Sequence, residues 1–261
     1  MTIITPKKMI LEFLNVSKSK LSSGTFVHVG KILGFEGNSV RVTLSRLKKR
    51  GLLHHDEEGG YELAEAGIAT RVHISQWQTL ADVPKKKWDG SFVIALTTDL
   101  PRTRKEITKR ERALTMLGFR VIRTRIWIRP NNLETLDLLK KRLVSLGVEE
   151  NLLLLTSSEF ESGVKEDVIA LWDIATLNEN YRQIPALLDE SRLKCETLNR
   201  DESAREYYLT GSRLLERVIQ DPVLPSELID VKARTAAIKA LASFDVDGHK
   251  LWAEIFAEVA K

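Results

Sequence analysis

Residues 37–63 read GNSVRVTLSRLKKRGLLHHDEEGGYEL, and this stretch decides the fold of the first module. Gly37 and Asn38 open a helix that Gly51 closes as a C-cap. Within it Val40, Leu44 and Leu47 recur at i, i+4 and i+7, the spacing of a face turned to a core. The opposite face presents Asn38, Ser39, Arg41, Val42, Ser45, Arg46 and Lys49. Behind Gly51 come Leu52 and Leu53, the polar turn HHDEEGG and the short run YEL, an extended pair that reads as a small hairpin.

Upstream, Thr5-Pro6 marks a helix start, and KKMILEFLNV follows with Ile10, Phe13 and Leu14 on one face. Gly24 is expected to break the chain, with a short helix around His28–Leu33 ended by Gly34. Three helices followed by a hairpin is the order of a winged helix-turn-helix, assigned to residues 1–74. The exposed face of its third helix suits a DNA major groove. Arginine bonds guanine bidentately, serine bonds either partner, and valine touches a thymine methyl. His54 and His55 lie on the hairpin, where a solvated turn or phosphate contact fits them better than metal ligation, since no spaced Cys or His accompanies them.

Charge supports the same reading. The net charge of +4 conceals two basic segments in an acidic remainder. Residues 1–50 hold ten Lys/Arg against two acids, and residues 101–129 again hold ten against two. Fields of that sign attract phosphate, on nucleic acid or on an anionic ligand.

Residues 75–90 are expected to form a connector, with a short helix around Trp77 and a boundary at VPKKKWDG. Residues 91–160 then alternate. Strands are expected at Phe92–Leu96, Phe119–Ile122, Ile126–Ile128 and Leu152–Leu155, and helices at Arg102–Leu117 and Leu133–Leu146. The order βαββαβ is ferredoxin-like. Residues 161–261 read as a helical C-terminal domain, in which Leu251, Ile255 and Val259 form a stripe that suits either a dimer interface or the domain's own core. The fold class is therefore α+β.

With 43% hydrophobic and 29% charged residues, the composition is that of a soluble globular protein. No apolar run is long enough for a membrane span, and the N-terminus lacks a signal-peptide pattern. Cys195 is the single cysteine, so no intramolecular disulfide forms, and a cytoplasmic location is expected.

Several segments in order resemble the PaaX family of repressors of phenylacetate-degradation genes. They are VRVTLSRLKKRGLL at 40–53, Gly118–Phe119, IWIRP at 126–130, ALWDIATLNENY at 170–181 and DPVLPSEL at 221–228. The resemblance implies a repressor that binds double-stranded DNA as a homodimer and is released by an aryl-acyl-CoA effector. It implies no bound cofactor and no enzymatic activity. Such a thioester needs a basic surface beside an apolar pocket. Arg102, Arg104, Arg123, Arg125 and Arg129 are the candidates for its phosphates, and Tyr181, Tyr208 and Arg213 for its acyl end. The other reading of the basic cluster 101–129 is contact with DNA phosphate beside the winged helix, or a solvent-facing surface. The alternative reading is a nuclease or other nucleic-acid-processing protein on the ferredoxin-like segment, which resembles a small CRISPR-associated nuclease with an acid, here Asp99, after the first strand. Metal-dependent cleavage needs converging carboxylates, and no second acid accompanies Asp99 at a strand end.

Overall fold

The computed structural model describes residues 4–17, 20–65 and 87–259. The chain is a mixed helix-and-sheet protein with two antiparallel sheets. It divides into two compact units, Met1–Gln78 with Ile184–Glu216 and Ala237–Lys261, and Thr79–Gln183 with Arg217–Ala236. The helical segment 161–261 thus contributes to both units. Most of the expected connector, including Trp77, lies outside the described residues.

The first unit begins α1 (Pro6–Ser17), β1 (Leu21–Ser22), α2 (Ser23–Ile32), α3 (Gly37–Lys49), β2 (Leu53–His55) and β3 (Gly60–Leu63). Its sheet has the order β1-β3-β2, with Leu21 opposite Tyr61 and Leu53 opposite Leu63. Gly24 does not break the chain. It sits in the first turn of α2, because the Ser22 hydroxyl accepts a hydrogen bond from the Thr25 amide at 3.0 Å and caps the helix there. The α2 helix therefore starts five residues before His28. Helices α2 and α3 meet closely at Gly30, where a Cβ would stand 2.7 Å from Val40 Cγ2. The β2–β3 turn is held by the Gly60 amide, which donates to Asp56 Oδ1 at 2.7 Å, and by Lys20, whose ammonium is 2.7 Å from Asp56 Oδ2.

The core of this unit joins distant parts of the sequence. Met9, Ile10, Phe13, Phe26, Val29, Val40, Leu44 and Leu47 are buried together with Ala204, Trp252 and Ile255. The Phe13 ring stacks on Tyr208 at 5.3 Å and meets Trp252 edge-on at 4.8 Å. Ile255 is fully buried here and Leu251 packs against the same cluster, so these two members of the expected dimer stripe serve the unit's own core. The C-terminal helices carry apolar faces that α1 covers, and burial of that kind is what makes an amphipathic helix stable.

The second unit carries β4 (Phe92–Leu96), α4 (Arg104–Met116), β5 (Arg120–Arg123), β6 (Ile126–Pro130), α5 (Leu136–Ser145) and β7 (Leu153–Ser157). The sheet order is β5-β6-β4-β7 and every pairing is antiparallel. The strand register puts Val93 opposite Arg129 and Ala95 opposite Trp127. Side chains alternate across a strand, so these positions share one face, and Val93, Ala95 and Trp127 pack there with Leu114, Phe119, Leu139 and Leu143. Phe92 points to the other face, between Trp88 and Phe160. Three further helices follow in the chain after β7 and a short α6 (Val164–Ile169): α7 (Ile174–Cys195), α8 (Arg200–Ile219) and α9 (Val231–Val259). Among the described residues no helix is long and apolar enough to cross a membrane.

Candidate nucleic-acid interface

Helix α3 is built so that one face is committed to the core and the other is presented. Val40 and Leu44 are fully buried and Leu47 nearly so. Asn38, Ser39, Arg41, Val42, Ser45, Arg46 and Lys49 are all exposed. Val42 is 40% exposed, an apolar side chain that the fold does not use. The helix ends at Arg50 with Gly51 in the left-handed region at φ 68°, and the Leu52 amide returns to the Leu47 carbonyl at 3.1 Å. That turn leads the chain directly into β2, where His54 and His55 are exposed and His55 lies against Tyr61 at 4.4 Å. The same unit therefore presents a helix face of cations and short polar groups and a two-stranded projection. Among the described residues Arg41, Arg46 and Lys49 form no ion pair, so their charge is available to an external anion.

The candidate effector residues are placed very differently from one another. Arg102, Arg104 and Arg123 are exposed, and Arg125 is half-buried with its guanidinium 3.3 Å from the Thr98 carbonyl. Arg129 is not on the surface. It is 1% exposed, and its guanidinium donates to the carbonyls of Pro130 and Leu117 and to Asn132 Oδ1. Its strand position puts it on the helix-covered face of the sheet, over the Phe119 ring. Burial pulls its pKa down to about 9. Each of its three nitrogens donates to an internal acceptor and the side chain is buried, which corrects the expectation that it meets a ligand phosphate. Tyr181 is also buried, in the second unit, and burial reinforced by Asp221 pushes its phenol well above the usual tyrosine range. Tyr208 and Arg213 belong to the first unit. The Tyr208 hydroxyl donates to Glu12 Oε2 at 2.6 Å, so it is spent on α1, whereas Arg213 is exposed. Burial pushes the Glu12 carboxyl up, against the lowering effect of that hydrogen bond and of Lys8.

Sequence reasoning missed a buried polar network in the second unit. Asn132, held by Arg129, donates through Nδ2 to the Val223 carbonyl at 2.9 Å. The Val223 amide donates to Asp221 Oδ1 at 2.7 Å, and Asp221 Oδ2 accepts from Arg234 Nε. Asp221 and Arg234 are completely buried as a pair. Val223, a β-branched residue, is held at φ 50°, a conformation that such residues adopt only when their surroundings dictate it. Gly118 lies under the same segment: at φ 78°, a Cβ there would overlap the Pro222 carbonyl, and the Gly118 carbonyl accepts from Trp172 Nε1 at 3.0 Å. One signal was available in IWIRP, where the alternation places Arg129 on the same face as the inward Trp127.

For the nuclease alternative, Asp99 is exposed, and among the described residues no group of three His, Cys, Asp or Glu side chains is placed to hold a metal ion.

The fold and the presented helix define an α+β protein with a cationic helix face in its N-terminal unit. The family model described as PaaX-like protein matches residues 9–67, the segment that contains this helix, and supports the resemblance to the PaaX family. The chain is similar in structure to the uncharacterized protein Rv0674 from Mycobacterium tuberculosis, with a TM-score of 0.64 at 16% sequence identity, over 98% of this chain and 99% of that one. At that identity the likeness is one of fold. The comparison with curated proteins found no match.

Proposed function

We propose that the chain is a PaaX-type transcriptional repressor that binds double-stranded DNA through α3 of a winged helix-turn-helix. The observation that carries this reading is the division of α3: its three apolar positions are buried while all seven polar, cationic or methyl-bearing candidates are exposed. Arg41 and Arg46 read base edges, Asn38, Ser39, Ser45 and Val42 complement them, and Lys49, His54 and His55 meet phosphate. A single such helix reads few base pairs, so two copies of the chain on a two-fold site supply the operator length. The second unit, ferredoxin-like in strand order, and the C-terminal helices serve dimerisation and effector response.

Titrating a mixed-sequence duplex at increasing salt tests the DNA-binding part. Binding should weaken linearly in log–log form, and Lys49→Ala should flatten the slope by about 0.9, the contribution of one phosphate contact. A wild-type chain with no salt-dependent affinity contradicts the proposal.

The effector part rests on the resemblance, with Arg102, Arg104 and Arg123 exposed and Arg125 half-buried as the candidate anion contacts that remain. An aryl-acyl-CoA at about 100 times its Kd should stabilise the folded chain by about 2.7 kcal/mol and raise its melting temperature. No shift with any of a set of acyl-CoA thioesters at millimolar concentration removes this effector class.

A further inference from the structure

We infer that the outer face of α4, with Arg104, Lys105, Lys109 and Arg112, is a second contact surface for the phosphate backbone of duplex DNA, an inference that rests on the DNA-binding reading above. All four side chains are exposed and none forms an ion pair among the described residues, although Lys109 adds to the pull of Arg110 that lowers the Glu149 carboxyl. Two other cations of this segment are buried on internal partners: Arg110 is 5% exposed and holds Glu149 through two hydrogen bonds at 2.8 and 2.9 Å, and Arg129 is 1% exposed, while Arg120, Arg123 and Arg125 donate to backbone carbonyls. The fold thus separates structural arginines from a presented set.

At 3.6 residues per turn, Lys105, Lys109 and Arg112 fall within an arc of about 60° beside the buried stripe of Arg110, Ala113 and Leu114, and Arg104 lies about 80° beyond Arg112. Thr108 and Thr115, both exposed, share that face and add hydroxyls of the kind that bond phosphate. Glu111 is exposed as well; it lies about 100° from Arg112 but, at i+7, only about 20° from Arg104, so one acid stands on the Arg104 side of the face. The four cations span about 12 Å along the helix, a length over which a duplex carries roughly seven backbone charges.

Helix stability accounts for only part of this pattern: Glu106, in the first turn and at i,i+3 to Lys109, favours the helix, but the cations among themselves do not. Lys105 and Lys109 are like charges at i,i+4, and Lys109 and Arg112 at i,i+3, which disfavours a helix. Arg104 and Lys105 stand in the first turn, where the helix dipole disfavours cations. An external polyanion relieves both costs. Position is also prepared: the Lys109 stem lies across Gly147, where any Cβ would overlap it, so its ammonium is carried over the end of α5. A flat helix face of this length matches a polymer's phosphates better than a small ligand, which needs a concavity to be buried. Arg104, a candidate for effector phosphate on sequence grounds, is thereby assigned to DNA.

The test uses the full chain and a mixed-sequence duplex of about three helical turns, with affinity followed by fluorescence anisotropy from about 50 to 200 mM salt. The variant R104Q/K105Q/K109Q/R112Q should flatten the log–log salt slope by about 2–4, and K105Q/K109Q by about 1–2. R104K/R112K, which keeps the charge, should retain the wild-type slope. If the quadruple variant unfolds, the two double variants carry the test. Wild-type slopes in the glutamine variants, with Lys49→Ala still flattening the slope, overturn this inference and leave the α3 reading intact. Loss of acyl-CoA binding with an unchanged DNA slope also overturns it, and gives the face to the effector. A wild-type chain that binds no duplex fails at the level of the proposed function.

Discussion

Asp221→Ala is expected to destabilise the chain by about 3–5 kcal/mol, the cost of leaving one member of a buried ion pair without its partner. Asp221 and Arg234 are both fully buried, so neither can recover water when the other is removed. The substitution also strips the acceptor from the Val223 amide, in a segment whose left-handed backbone depends on that bond and on Asn132. Total stabilities of domains are about 5–15 kcal/mol, so the loss is a large share of what is present. Equilibrium urea unfolding checks it. The double variant Asp221→Ala with Arg234→Met should recover part of the loss, because an apolar pair has no charge to strand. A single variant as stable as the wild type would show that the pair is not sealed from solvent.

What the sequence made legible is what a local period can encode. Residues 37–63 carried their own evidence: the apolar spacing of Val40, Leu44 and Leu47 and the polar turn before Tyr61 reappear as α3, β2 and β3. Likewise the six elements between Phe92 and Ser157 fall within a few residues of their expected bounds. The Gly24 error has a local cause. Glycine alone signals a break, whereas the Ser22 cap two residues earlier starts the helix before it.

The rest depends on partners far apart in sequence. Nothing local shows that Phe13 will stack on Tyr208, or that Ile255 will be buried with Met9 rather than offered to a second copy. Nor does a count of cations distinguish Arg129, enclosed by three acceptors, from exposed Arg123. Charge tallies predict fields. They do not say which members of the tally are structural, and that division is what turned a basic segment into two buried arginines and a presented face on α4.

The affinity of Arg41→Ala/Arg46→Ala for the duplex that the wild-type chain enriches from a random pool tests the central claim most directly. Each bidentate arginine–guanine contact is worth about 1–3 kcal/mol of discrimination against a wrong base. The two contacts therefore separate the preferred duplex from random sequence by about 2–6 kcal/mol, and their effects add if the arginines read different base pairs. Both side chains are exposed on α3 and neither supports the core, so the variant should melt at the wild-type temperature. The expected result is a fall in affinity for the enriched duplex of about 30-fold or more, with random duplex affected far less and the preference at two base positions relaxed. A folded double variant that retains wild-type affinity and the same enriched sequence would contradict the assignment of α3 as the reading helix.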